Sequence, residues 1–432
     1  VIATAAADGT PNITYLSRVR YVDEERIALS NQFFSKTARN LAENPRASVI
    51  LVDPVEYDEY RLTLVYERTE RRGPVFEQLR ADVEALAALG GVMNVFKLRA
   101  ADIYRVVDIE KNPGRAHRAP PLDESAKPAA SPAQLAELTS RLSRCPDLDT
   151  LVSATVDGLA GLFGYEHSVL LLLDEVGTKL YTIASRGYDE QGVGSEVTVG
   201  EGIIGMAAAR ATPIRLGNLR QMAKYGQTVV RTSETDERLP VREIPVPILP
   251  KVQSRVAVPA MAFGQLVGVL VVESENVVAF DSNDEALLTV VASLIANAIE
   301  AERTHDRAGA GATRPSVTIP DDRRAGATHV RYFAADGSTF VDGDYLIKGV
   351  AGRILWCLLR QHEDEGRSEF TNREVRLDPS LELPEFRDNF ESRLILLKRR
   401  LDERESRIRI EKTGRGRFRL VVESVLRLDA AD

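Results

Sequence analysis

The chain is 432 residues long, 44% apolar and 28% charged, with a formal charge of −8. That length excludes a single ordinary core, and the composition is that of a soluble globular protein of two to four domains. No apolar run approaches the ~20 residues of a membrane helix, no basic leader with an apolar core opens the chain, and two cysteines far apart in sequence, Cys145 and Cys357, make neither a disulfide framework nor a metal spacing. A reducing cytoplasm and no membrane partner are expected. The acidic balance argues against general nucleic-acid coating but leaves room for a local basic patch.

The opening VIATAAADGTPNITYL reads as two strands around the Asp8-Gly9 turn. A chain that starts in mid-strand without Met reads as N-terminally trimmed, with a helix expected upstream. NITYLSRVRYV, RIALSN, ASVILVD and YRLTLVYERTE alternate like strands, VFEQLRADVEALAAL is helical, and FKLRAADIYRVVDIE returns to strand. Short antiparallel strands with few helices predict a small barrel. After RIALSN and a Phe33-Phe34 turn, Ser35-Lys36-Thr37 opens an amphipathic helix that Asn44-Pro45 ends. A helix start exposes unpaired N–H groups and the positive end of the macrodipole, and these side chains would complete an anion site. The same residues equally serve as a Ser35 cap beside a solvated Lys36.

These features, from ATAAADGTPNITYLSRV through ALSNQFFSKTARNLAENPRASVILVD, resemble the split-barrel fold of the pyridoxamine 5′-phosphate oxidase-like flavoproteins over nearly all of residues 1–111. The resemblance implies an FMN phosphate seat on a Ser-Arg-Lys motif, read here as Ser35-Lys36-Thr37, after a strand ending Ser30-Asn31-Gln32. It keeps the serine and one basic residue and replaces the second basic residue by Thr37. Arg18 and Arg20, on the preceding strand, lie near where the family places further basic groups. Haem, deazaflavin or no cofactor are the alternatives, and a homodimer is implied. No histidine occurs in residues 1–111 to act as a general base, so no catalytic residue is assigned.

Residues 112–132 and 303–328 lack hydrophobic periodicity and are rich in Ala, Pro, Gly and charge, which predicts two linkers. Between them, 133–302 reads as α+β: helical patterns to 163, strands HSVLLLLDE and LYTIASR, the unit VGEGIIGMAAARATPIRL, strands RVAVPAMAF and QLVGVLVVES, and a closing amphipathic helix that Asp281 or Ser282 can cap. LFGYEHSVLLLLDE, VGEGIIGMAAARATPIRL, QLVGVLVVES and the closing helix resemble a GAF domain, a PAS-like sensory fold. The resemblance implies a small-molecule ligand without naming it. Cys145, in the leading helical region, is poorly placed for a bilin. His167 reads as a haem ligand or, more ordinarily, as a half-buried histidine. The polar stretch 217–251 reads as a mobile loop or a pocket lid, and the closing helix could also pair with its copy in a dimer.

The last segment, 329–424, runs strands, three helices and a hairpin, RIRIEKTGRGRFRLVV. Residues 387–419 hold twelve Arg or Lys against six Asp or Glu, a net of +6, whereas residues 331–386 carry −4. Phe390, Leu394, Leu397 and Leu401 recur at helical spacing and face a core. Ser392 and Arg399 then point outward, flanked by Arg393, Lys398 and Arg400, while Arg415 and Arg417 sit in the hairpin. YFAADGSTFVDGDYLIKGVAGRILWCLLRQ, LILLKRRLDER and IRIEKTGRGRFRL resemble the winged-helix output domain of response regulators, which implies DNA as partner. One departure is the apolar pair Ile395-Leu396 where the family keeps polar residues; exposed, that pair would favour a protein partner.

The expected fold is therefore multidomain α+β: a split β-barrel, a GAF (PAS-like) α/β sensor and a winged helix-turn-helix. The expected function is a one-component transcriptional regulator that senses a flavin, redox state or small molecule. The alternatives are a flavin-dependent oxidoreductase with regulatory domains and a signalling scaffold whose winged helix binds protein.

Overall fold

The structure, a computed structural model, describes residues 1–32, 35–54, 58–89, 98–112, 131–219, 244, 246, 247, 249–308, 327–381, 383 and 390–431. The Phe33-Phe34 turn, most of both linkers and most of the 217–251 stretch lie outside these residues.

Seven N-terminal strands form one antiparallel sheet: β1 (Ile2–Ala5), β2 (Pro11–Thr14), β3 (Val19–Asp23), β4 (Arg26–Asn31), β5 (Arg46–Val52), β6 (Glu59–Glu70) and β7 (Ala100–Asn112), in the order β2-β1-β5-β6-β7-β4-β3. The alternation of NITYLSRVRYV runs on without a gap, yet β2 and β3 occupy opposite edges of this sheet. The chain is turned between them by polar contacts: Ser17 Oγ donates to Gln32 Oε1 at 2.7 Å and the Arg18 N–H donates to Ser30 Oγ at 3.0 Å. Helix α1 (Ser35–Glu43) places Leu41 against Ile2, Leu29, Val49, Leu64 and Tyr104. Helix α2 (Pro74–Leu89) has two apolar faces. Phe76 and Leu79 pack on Ala28, Ala101 and Ile103 of the domain's own sheet, whereas Ala81 and Ala85 pack into the middle domain.

The middle domain is built on a six-stranded antiparallel sheet, β10-β9-β8-β13-β12-β11. Its strands are β8 (His167–Leu173), β9 (Lys179–Arg186), β10 (Glu196–Thr198), β11 (Ile214–Leu216), β12 (Ser254–Ala262) and β13 (Gln265–Ser274). Helices α3 (Pro132–Leu142), α4 (Leu148–Phe163) and α6 (Ser282–Ala308) belong to the cluster on one face, and α5 (Gly202–Arg210) with α2 covers the other. Asp147 caps α4, accepting from the Thr150 N–H at 2.9 Å, and Asp281 caps α6, accepting from the N–H groups of Asn283 and Asp284 at 2.8 and 3.0 Å. The GEGIIG run has a steric reason: Gly200 has φ +92°, and a Cβ on Gly205 would lie 2.1 Å from the Thr198 carbonyl oxygen.

The C-terminal domain opens with β14 (Ala327–Phe333), β15 (Ser338–Val341) and β16 (Asp344–Ile347), followed by α7 (Gly349–Glu365), β17 (Glu369–Thr371), α8 (Asn372–Arg376) and α9 (Phe390–Glu403). The hairpin β18 (Ile408–Gly414) and β19 (Arg417–Val422) forms a three-stranded sheet with β17. A further strand, β20 (Val425–Ala431), pairs parallel with β14, from Ala327 opposite Val425 to Phe333 opposite Ala431. The domain therefore continues past residue 424, the end that the hairpin pattern predicts. No helix among the described residues is long and apolar enough to cross a membrane.

Candidate functional site

The residues proposed for a cofactor divide into three places. Thr37 is buried, its hydroxyl accepting from Asn12 Nδ2 at 2.9 Å, and Lys36 beside it is exposed. Ser30 is buried under the Arg18 backbone, and Asn31 Nδ2 donates to Asp102 Oδ2 at 2.8 Å. Thr69 Oγ1 also donates to Asp102, at 2.6 Å, although burial still pushes this carboxyl up. Arg18 and Arg20 point elsewhere, to the junction with the middle domain. Arg18 Nε and Arg20 Nη1 lie 3.3 and 3.1 Å from Asp82 Oδ2, a carboxylate with no exposure. Arg20 Nη2 reaches Glu285 on α6 at 3.3 Å, and Arg18 Nη2 donates to the Arg215 carbonyl at 2.9 Å. Burial pushes the Asp82 carboxyl up against the pull of both guanidiniums.

Both guanidiniums are thus held by carboxylates and Lys36 faces solvent, while the side chain of Ser35, expected beside Lys36 and Thr37 in the phosphate seat, lies outside the described residues. Among the described residues no group of three or more His, Cys, Asp and Glu side chains could hold a metal ion. Burial and Asp378 push the Cys357 thiol up to about 12, so it stays protonated near neutrality. His167 is half-buried and packs edge-on against Tyr188, whose hydroxyl donates to Glu273 at 3.0 Å.

Four of the six basic residues named in the C-terminal domain, Arg393, Lys398, Arg399 and Arg415, are by contrast brought against the middle domain. Helix α9 buries Phe390, Leu394, Leu397 and Leu401, as their spacing predicts. The opposite stripe is covered too: Ser392 is 1%, Ile395 5% and Leu396 2% exposed. Leu396 lies beside Gly194, where a Cβ would sit 3.7 Å from its Cδ1. The Ile395-Leu396 pair thus meets protein, and for Leu396 that protein is the middle domain of the same chain.

Arg393 makes a fork to Glu175, with Nε and Nη2 at 2.8 and 2.7 Å from the two carboxylate oxygens. Its guanidinium lies 3.8 Å from the Tyr181 ring centroid. Burial opposes its charge, but Tyr181, Glu175 and Asp174 outweigh burial and raise its pKa. Arg399 donates to Asp149 Oδ1 at 2.8 Å, to the Asp149 and Ile183 carbonyls at 3.0 Å each and to Ser153 Oγ at 2.7 Å. Lys398 reaches the same carboxylate at 3.2 Å. Burial alone would raise Asp149; Arg399 and Lys398 overcome it and hold the carboxyl below its ordinary range.

The hairpin follows suit. Lys412 lies 3.2 Å from Asp147, and Arg415 lies 3.2 Å from Glu302 on α6. Arg417 is exposed, and Arg400 is buried inside its own domain, donating to the Leu346 carbonyl at 3.0 Å. Beside α9, a cleft of about 170 Å³ is lined by Glu175, Tyr181, Lys179, Glu196, Lys348 and Arg393. Lys348 bridges it to Glu196 at 3.2 Å.

Sequence reasoning found the basic half of this surface and missed the acidic half. Asp149 and Glu175 lie more than two hundred residues from their partners, and only the apolar Ile395-Leu396 pair hinted that a protein surface covers the helix.

Comparison with known proteins bears on two of the three domains. The family model described as "Pyridoxamine 5′-phosphate oxidase" matches residues 1–106, and that of the GAF domain matches residues 147–299. No curated protein matches the chain. Similar solved structures include the GAF domain of a phosphoenolpyruvate-protein phosphotransferase from Coxiella burnetii, at 20% identity over 40% of this chain and 95% of that one, with a TM-score of 0.32. An FMN-binding protein from Syntrophomonas wolfei is 18% identical over 26% of this chain and 74% of its own, with a TM-score of 0.22. HupZ from Group A Streptococcus is 23% identical over 27% and 86%, with a TM-score of 0.22. The pairing of the two matched domains points to a sensory or regulatory protein. The chain thus carries a pyridoxamine 5′-phosphate oxidase-like N-terminal domain followed by a GAF domain.

Proposed function

We propose that the chain is a cytoplasmic one-component transcriptional regulator, in which the GAF domain takes a small-molecule signal and the C-terminal domain is a winged helix that binds DNA as part of a homodimer. The observation that carries this reading is the layout of residues 327–431. A leading sheet, three helices and a hairpin paired with β17 place a basic helix and a basic hairpin side by side. An arginine- and lysine-bearing helix with a partly solvated hairpin has the dimensions for a major groove and its flanking phosphates. Arg393, Lys398, Arg399 and Arg415 would supply the charge and Ser392 a base-edge contact. The N-terminal domain serves here as a packing partner of the GAF domain, and no step runs through a flavin.

The test is retention of genomic DNA fragments by the full chain and by its Asp149→Asn, Glu175→Gln form, with affinity falling steeply as salt rises. Charge reversal of Arg399 and Arg415 should abolish retention. If neither form retains any fragment at low salt, the reading is wrong. A second reading, a signalling scaffold, draws on Ile395 and Leu396, which are covered here by the chain itself and would offer a protein partner an apolar edge only once α9 leaves the GAF domain; retention of a protein but no DNA would select it.

A further inference from the structure

We propose that the docking of α9 on the GAF domain is an autoinhibitory latch, in which Asp149 and Glu175 occupy the arginines that DNA phosphates would otherwise take. The proposal rests on the DNA-binding reading above. Its first support is occlusion. From Phe390 to Leu401 no residue of α9 is exposed, so no groove could admit the helix in this arrangement. The domain's own core explains the Phe390, Leu394, Leu397 and Leu401 side; the GAF domain supplies the contacts to Arg393, Leu396 and Arg399.

Chemistry is the second support. A carboxylate fork on Arg393 and a multiply accepted Arg399 use the planar donors in the way a phosphate uses them, so the two partners exclude each other. Five basic groups of helix and hairpin, Arg393, Lys398, Arg399, Lys412 and Arg415, each meet a GAF-domain carboxylate. Hydration is the third. Asp149 is 26% and Lys398 33% exposed, so both partners already touch water and can be solvated as the surfaces part.

The fold also shows how a signal could reach the latch. Strand β9 alternates across the GAF sheet: Leu180 belongs to the cluster under α5, while Tyr181 and Ile183 face the α4 and α9 side. Tyr181 lies under Arg393, and the Ile183 carbonyl accepts from Arg399. A ligand that shifts β9 from the α5 side therefore moves two contacts of α9 directly. It favours the open form only by binding that form more tightly.

The experiment compares the full chain with its Asp149→Asn, Glu175→Gln form by amide hydrogen exchange and by DNA retention. Faster exchange over residues 390–401, with DNA bound about tenfold more tightly or better, supports the latch. Leu396→Gln, which removes no carboxylate, should speed exchange in the same segment and guards against a folding artefact. Glu137→Gln, Asp157→Asn makes the same change in charge elsewhere on the GAF domain and should alter neither reading. Unchanged exchange in the first variant, or an equal gain in DNA affinity in the charge control, overturns the latch while leaving the DNA reading intact. Faster exchange without DNA retention by either form overturns the proposal through the DNA reading instead.

Discussion

The GAF domain meets the N-terminal domain through two alanines and the Arg20–Glu285 and Glu84–Arg210 ion pairs, beside the fully buried Asp82. It meets the C-terminal domain through ion pairs that run from the buried Arg393–Glu175 to the part-solvated Lys398–Asp149. At the first junction, Ala81 and Ala85 let α2 approach α5 closely, and Asp82 draws Arg18 and Arg20 into the seam. Glu84 adds a fork to Arg210 at 2.6 and 2.7 Å. Removing any part leaves a void or an uncompensated charge. The second junction responds unevenly: water can take over from the carboxylates that meet Lys398, Lys412 and Arg415, whereas Arg393 and Glu175 are buried together. One joint is built to stay and the other to part.

The largest effect should come from breaking the first junction at its centre. Asp82→Ala leaves Arg20 only Glu285 and Arg18 only the Arg215 carbonyl in a partly buried seam, and should cost about 3–5 kcal/mol, read by chemical denaturation. A loss below about 1 kcal/mol would erase the distinction between the junctions. Next, Ala81→Leu overfills the α2–α5 contact and should cost about 1–3 kcal/mol in the same measurement. At the second junction, Arg399→Ala removes charge-assisted bonds to Asp149 and should weaken docking by about 1.5–3 kcal/mol. Its signature is faster exchange over α9 with little change in the unfolding midpoint of the N-terminal domain.

At the second junction, acid should act late on Asp147 and Asp149. Asp149 and Asp147 have pKa values held below their ordinary 3.8. Their stabilisation is complete above the unfolded-state value and is lost as pH falls through the lower folded-state value. Exchange over α9 should therefore show no acid-driven loosening from neutrality down to about pH 4 and should quicken below it. Smallest of all, Arg415→Ala should cost about 0–1 kcal/mol, because the arginine side chain is 59% exposed. Hairpin exchange is the measurement sensitive enough to see it.

Local pattern was legible wherever one residue constrains its neighbours. The start of α1 at Ser35, the cap at Asp281, the glycines of GEGIIG and the inward face of α9 follow from turn chemistry and periodicity. Alternation overran the break between β2 and β3, because Tyr15 keeps the apolar rhythm while standing 82% exposed. Strand β20 escaped because its reason for existing is the free edge of β14, nearly a hundred residues earlier. The partners of the candidate site residues were hidden for the same cause. Arg18 and Arg20, expected near an anion, pair in the structure with Asp82, an acid set among the apolar positions of α2. That misplaced acid was the available signal, since a buried carboxylate requires a partner.

Leu396 fixes how seldom the second junction opens. At 2% exposure beside Gly194, it would enter water with every excursion of α9. Hydrating a leucine side chain costs about 1.5–3 kcal/mol. Even if every ion pair were exchanged for solvent at no cost, the parted form would number roughly one molecule in ten to one in a hundred. The unliganded chain would then be quiet but never silent, with a basal output written into a single aliphatic side chain.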